Sequence, residues 1–288
     1  METSELLKKV RKIEIKTKGL SRHLFAGEYH SAFKGRGMSF SEVRDYQYGD
    51  DVRNIDWNVT ARTGDPHVKI FEEERELTVM LLIDISPSSF FGTVNQLKSE
   101  MITEICAVLA FSAINNNDKV GVAFFSDHVE RFIPPKKGKQ HILRIIRELI
   151  NFEPSGKGTD IGATLEYFNN LVKKRSICFI ISDFLSMGYE QPLRVAARRH
   201  DVIGVNLIDP REEELPNVGL LRAQDAESGA LQWIDTSSRQ VREAYANWHQ
   251  EHLGYFSSTF RKSGAAAMNI RTNESYVDAL HQFFQQRR

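Results

Sequence analysis

Net charge is absent from this chain of 288 residues, because its 38 lysines and arginines are matched by 38 aspartates and glutamates. With no surplus of either sign there is no long-range field to attract nucleic acid or an anionic membrane, and neither is expected as a partner. Cysteine is nearly absent too. Cys106 and Cys178 are the only two, and both lie inside apolar runs. That placement excludes a disulfide framework and a cysteine metal pair, and marks both as small hydrophobes in a reducing compartment. No apolar run approaches the ~20 residues that a bilayer-spanning helix needs. The stretch from Met1 to Val10 lacks the basic region, apolar core and cleavage site of a secretory signal. The expected location is therefore cytoplasmic. Internal repeats and low-complexity segments are also missing.

What is present divides into two parts. Residues 1–76 read as an appendage. Leu6, Leu7, Val10 and Ile13 alternate with lysines as in a short amphipathic helix, and from Gly27 to Glu76 glycines, aromatics and charges of both signs crowd together without a long apolar run. Residues 77–288 are regular. The runs Leu77 to Ile83, Lys119 to Phe125, Ile177 to Ile181 and Val202 to Ile208 are nearly continuous in apolar residues, as strands buried on both faces of a parallel sheet are. Val129 to Ile133 is expected to pair beside the second of these. Helical spacing appears over 95–115, 142–150, 161–172 and 192–200, between or beside the strands. The alternation predicts an α/β fold with a doubly wound, mostly parallel sheet. Further on, 219–225 and 230–235 read as a hairpin at the sheet edge, followed by a long helix striped with Tyr245, Trp248, Phe256 and Phe260, a strand over 267–270, and a helix from Tyr276.

The chemically informative residues fall where predicted strands end, which is where open α/β sheets collect their ligands. Three such loops are rich in hydroxyls and carboxylates: Asp84-Ile-Ser86-Pro-Ser88, the loop 156–160 with Thr159 and Asp160, and Ser182-Asp183. A hard cation such as Mg²⁺ takes oxygen ligands in an octahedron and keeps some waters, so a few hydroxyls with nearby carboxylates can hold one and leave a position free. Taken singly, each loop has a plainer reading. An Asp-x-Ser after a strand is most often a turn or helix cap, Thr159 would cap the helix behind it, and Asp183 would be a turn residue. Their joint occurrence in this order favours a metal site.

The set Asp84, Ser86, Ser88, Thr159 and Asp183 resembles the metal-ion-dependent adhesion site of von Willebrand factor A domains at all five positions. The segment before it, with Gly35 through Phe40, Arg44-Asp-Tyr46, Gly49-Asp50, Arg53 through Trp57 and Ala61-Arg62, resembles the signature of the bacterial family called domain of unknown function fifty-eight. That resemblance covers essentially the whole chain. It implies a Rossmann-like von Willebrand factor A fold with Mg²⁺ or Mn²⁺ as cofactor. Ser86 and Ser88 would touch the metal, Thr159 directly or through water, Asp84 and Asp183 largely through water, and a partner's carboxylate would take the sixth position. It also implies a MoxR-type AAA+ ATPase as the partner, since such genes commonly accompany the family. Longer relatives carry membrane spans that have no counterpart here.

Other signals carry less. Residues 156–159 lack the Walker spacing of a phosphate loop. His249 and His252, three apart on the long helix, suit packing better than metal binding because one falls on the apolar stripe. Asp45, Asp50, Asp51 and Asp56, interleaved with Arg44, Arg53 and Arg62, read as an ion-pair network that ties the appendage to the main domain, with Phe40, Tyr46 and Trp57 as its anchors. The leading expectation is a non-enzymatic, metal-dependent interaction module. The alternative is a metal-dependent hydrolase or phosphoryl-transfer enzyme, against which stands the lack of a second acid directly after Asp84, where Ile85 and Ser86 follow.

Overall fold

The computed structural model describes residues 10–17, 38–73, 76–90, 97–224 and 229–287. The helix α1 covers 10–17. Strand β1 (Met38–Asp45), helix α2 (Trp57–Thr63) and strand β2 (His67–Glu73) form a small N-terminal unit. The main domain begins with β3 (Thr78–Asp84), α3 (Lys98–Asn115), β4 (Lys119–Phe125), β5 (Val129–Lys136), α4 (Lys139–Asn151) and α5 (Ile161–Leu171). It continues through β6 (Ile177–Ser182), α6 (Glu190–Arg199), β7 (Asp201–Ile208), the single turn α7 (Pro210–Glu213), β8 (Leu220–Gln224) and β9 (Leu231–Asp235). It closes with α8 (Arg239–Ser263), β10 (Ala266–Arg271) and α9 (Tyr276–Gln286).

Six strands make the central sheet in the order β10-β7-β6-β3-β4-β5. All pair in parallel except the edge strand β5, which runs antiparallel to β4. The expected doubly wound α/β fold is thus present. The continuous apolar runs follow from coverage on both sides. Val79, Leu81 and Ile83 of β3 face a core built with α3, α4 and α9, while Met80 and Leu82 face a second core built with α5, α6 and α8. Cys106 and Cys178 are free and buried, one in each core. On the second face α8 lays Phe256 and Phe260 against β7 at Gly204, where an added Cβ would lie 2.6 Å from the Phe260 ring. Gly204 is the reason the long helix can approach the sheet so closely.

Several sequence-based expectations need correction. The β8–β9 hairpin exists, but it forms its own two-stranded sheet rather than an edge of the large one. The edges belong to β10 and β5, and β10 reaches its place because α8 crosses a sheet face before it. Trp57 is 69% exposed and so is not a buried anchor, while the side chain of Phe40 lies outside the described residues. Of the expected network the described residues show the pair Arg44–Asp50, while Asp56 pairs with Lys69 and Asp45 lies 3.1 Å from the His67 ring, and all three contacts lie inside the N-terminal unit. The network therefore fixes the turns of that unit. Ahead of it, α1 docks on the main domain, with Val10 in the first core and ion pairs from Lys16 to Glu104 and from Lys139 to Glu14.

Candidate metal centre

The sheet register sets Asp84, Phe125 and Ser182 at one level, at the carboxyl ends of β3, β4 and β6. The chain leaves β3 toward β4 on one side and returns to β6 on the other, so β3 and β6 flank the point where strand order reverses. Asp84 is buried there and fully engaged. Its Oδ1 accepts the Ser86 amide at 2.9 Å, and its Oδ2 accepts the Ser182 hydroxyl at 2.6 Å. Burial, and then the nearby Asp183, push the Asp84 carboxyl well above the usual carboxylate range, while the bonds from Ser182 and Ser86 pull the other way. Beyond Asp84 the chain turns through a short 3-10 segment, Pro87–Phe90, which brings the Ser86 and Ser88 hydroxyls within 3.0 Å of each other.

Thr159 enters on a separate loop. Glu130 of β5 holds that loop by accepting from the Ser126 hydroxyl at 2.7 Å, from the Ser155 amide and hydroxyl at 2.8 Å each, and from the Gly156 amide at 3.2 Å. The Asp160 amide then donates to the Ser126 carbonyl, one residue past the Phe125 carbonyl that accepts from Ile85. The two loops are thereby fastened side by side at the end of β4. Asp160, not Thr159, caps α5 through the Ala163 amide. The Thr159 hydroxyl is buried and has no protein hydrogen-bond partner, and neither has the Ser186 hydroxyl three residues beyond Asp183. Thr159 is therefore free of the capping role that its sequence position suggests, and it makes no direct bond to the other four residues.

Asp183 has a partner that the sequence reading missed. Lys98, the first residue of α3, is only 1% exposed, and its ammonium lies 3.2 Å from Asp183 and 2.5 Å from Glu212 of α7. Burial alone would favour the neutral amine, but Asp183 and Glu212 outweigh it and hold Lys98 above its ordinary value. Burial raises the Glu212 carboxyl, and Asp183 adds to this, while Lys98 and the Asp209 amide oppose it. Lys98 shares with Asp84, Asp183, Ser182, Ser89, Ile102 and Leu207 a cavity of about 10 Å³, enough for about one water. Phe184, next to Asp183, has a left-handed backbone with φ 50. Its ring is packed against Phe256 and Phe260 and its amide is bonded to the Ser182 hydroxyl, so packing holds the strained turn that aims Asp183 inward.

The family model described as "Protein of unknown function DUF58" matches residues 42–254. The chain belongs to the DUF58 family. Among similar proteins of known sequence, the uncharacterized protein Rv1480 of Mycobacterium tuberculosis is 30% identical over 291 residues, which covers 100% of this chain and 92% of that one. The uncharacterized protein YeaD of Bacillus subtilis is 29% identical over 109 residues, 38% of this chain and 25% of its own. Among solved structures, an aerotolerance-related membrane protein from Bacteroides fragilis is similar with a TM-score of 0.49 and 17% identity, covering 73% of this chain and 99% of that one. A von Willebrand factor type A structure from Catenulispora acidiphila is similar with a TM-score of 0.34 and 12% identity, covering 63% and 44% of the two chains.

The donors that this DUF58 protein presents suit a hard divalent cation. They are oxygens throughout, and they include a buried hydroxyl without a partner and a pair of hydroxyls 3.0 Å apart. Among the described residues no three His, Cys, Asp or Glu side chains gather into a metal-binding group, so a cation here would rest on serine and threonine. His249 and His252 are buried instead in the packing of α8, with the His252 ring tilted against Trp248 at a centroid distance of 4.4 Å. Among the described residues no helix is long and apolar enough to cross a membrane. Lys98, Glu130 and Glu212 escaped the sequence reading because a single charge in an amphipathic helix or edge strand normally marks the solvated face. The one hint was Lys98 at the head of a helix that becomes wholly apolar from Ile105 to Phe111.

Proposed function

We propose that this DUF58 protein is a metal-dependent protein-interaction module. Ser86, Ser88 and Thr159 would hold Mg²⁺ or Mn²⁺, with Asp84 and Asp183 as the carboxylates behind them. The observation that carries the reading is the Thr159 hydroxyl, buried without a protein partner on a loop fastened beside the Asp84 turn, while its neighbour Asp160 does the capping. A buried hydroxyl left unpaired costs about 1–3 kcal/mol, so a ligand that satisfies it is favoured there. Asp84 keeps the Ser86–Ser88 turn in shape through the Ser86 amide, and Ser182 holds Asp84 in turn. When bound, the cation supplies positive charge that a neutral, hydroxyl-rich first shell leaves largely uncompensated, which suits an incoming Asp or Glu of another protein. The partner class we favour is a MoxR-type AAA+ ATPase.

The alternative of metal-dependent hydrolysis gains no support from the site. The hydroxyls of Ser86 and Ser182 are engaged with Ser88 and Asp84, and among the described residues no basic nitrogen is bonded to either to activate it. Titration calorimetry with Mn²⁺ on the wild type, Ser86→Ala and Thr159→Ala tests the metal, with loss of binding expected in both variants. A purified MoxR-type ATPase should then bind in Mg²⁺ and be released by EDTA. Equal Mn²⁺ binding by all three proteins would overturn the site, and ATPase binding that persists in EDTA would overturn the carboxylate bridge.

A further inference from the structure

Lys98 is expensive to bury. A lysine withdrawn from water needs carboxylates around it, and a site meant to attract a cation would ordinarily avoid an ammonium. Here the ammonium is 3.2 Å from Asp183 and 2.5 Å from Glu212, and it lines the same small cavity as Asp84. The groups come from four separate elements: the end of β3, the head of α3, the loop after β6, and α7. With the three carboxylates ionised, as a bound cation would keep them, the charges are one positive and three negative, a net of two negative charges under the hydroxyl cluster. That balance equals the charge of one divalent ion. Without Lys98 the net would be three negative, and a divalent ion bound there would leave a residual negative charge that repels an incoming carboxylate.

We propose that Lys98 is a tethered cation that sets the charge of this site, trading divalent affinity for acceptance of an anionic partner group. The inference rests on the metal reading above. Lys98 touches neither the proposed hydroxyl ligands nor the partner, so it acts through Asp183 and Glu212 as a positioning and charge-setting residue. Electrostatics over such short, poorly solvated distances are large, so a change of one unit charge shifts divalent affinity by at least about tenfold.

Mn²⁺ binding to the intact protein, measured by calorimetry at physiological ionic strength, tests this with a charge series. Lys98→Met should bind Mn²⁺ at least about tenfold tighter than the wild type, and Glu212→Gln should bind it correspondingly weaker. The double variant, which removes one charge of each sign and leaves no unpaired Lys98, should return toward the wild-type value. It also guards against misfolding, since replacing a buried ion pair by neutral groups is often tolerated. A purely structural role would instead weaken binding in both single variants. Binding by both the wild type and Lys98→Met with equal affinity, or weaker in the latter, would overturn the inference and leave the metal reading intact. Binding by Lys98→Met alone would show that the native protein holds no metal, and would overturn both the metal reading and the inference that rests on it. No binding by any of the four proteins would overturn both.

Discussion

Replacing Gly156 by alanine should displace the Thr159 loop while leaving the sheet folded. A Cβ built at Gly156 would lie 2.1 Å from the Ser126 Oγ, 2.3 Å from the Asp127 Oδ1 and 2.9 Å from the Ser126 Cβ. The Asp127 carboxylate is exposed and can swing away. Ser126 cannot, because it is buried, its hydroxyl is bonded to Glu130, and its carbonyl holds the Asp160 amide. The loop itself must therefore give. Moving it strains or breaks the bonds from the Ser155 and Gly156 amides to Glu130 and the Asp160 bond to β4. Overpacking of this kind costs about 1–3 kcal/mol. With partial loss of hydrogen bonds at about 1 kcal/mol each, we expect a total near 3 kcal/mol. Urea denaturation would read the stability and calorimetry with Mn²⁺ the site, where affinity should fall with the displacement of Thr159. Gly254 provides the control. It lies on the exposed side of α8, and a Cβ added there would meet nothing within 4 Å. The same substitution there should stabilise the protein by about 0.5–1 kcal/mol, because alanine is the better helix former. Wild-type denaturation midpoint and wild-type Mn²⁺ affinity in Gly156→Ala would refute the reasoning.

Two other perturbations probe the interior. Ser182→Ala removes the hydroxyl that donates to Asp84 and accepts from the Phe184 amide. With two buried groups left unpaired, stability should drop by about 2–4 kcal/mol, and a loss below about 1 kcal/mol would show that these bonds are not what holds the Asp84 turn. His200 is buried, its Nδ1 is 3.0 Å from the Ser176 hydroxyl, and its ring packs on Phe168 at 4.6 Å. Burial, with help from Arg199 and Arg175, lowers its pKa from 6.5 to about 4. The folded state therefore binds fewer protons than the unfolded state between these values. The contribution of His200 is complete above the unfolded pKa and is lost as pH falls toward 4. The full shift corresponds to about 3 kcal/mol. Asp118, pushed up to about 6 by burial, opposes this trend over much of the same window, because its folded state binds more protons there. The test is thus the difference in stability between the wild type and His200→Phe as the solution is taken from neutral pH down to about 4. Parallel curves would contradict the assignment.

The sheet was legible in the amino-acid order because its physics is local. A strand covered on both faces must be apolar at consecutive positions, so β3, β4, β6 and β7 stand out from their neighbours, and Asp84 and Asp183 announce where two of them end. The resemblance to DUF58 likewise rests on consecutive residues. The chemistry around those ends was not legible in the same way. Whether Thr159 caps a helix depends on a one-residue phase that only the fold decides, and it gave the cap to Asp160. Trp57 looked like an anchor because tryptophan is usually buried, yet its side chain is 69% exposed. The hairpin read as a sheet edge because pairing partners far apart in the chain leave no mark on a strand pattern. Lys98 is the clearest case. Its meaning depends on Asp183 and Glu212, 85 and 114 residues away, and no local pattern encodes a charge balance assembled across such distances. Sequence alone determined the layers of this protein and the strand ends where ligands collect; the tertiary structure decided which groups at those ends are already paired and which are left to bind, because pairing is settled by packing among distant segments.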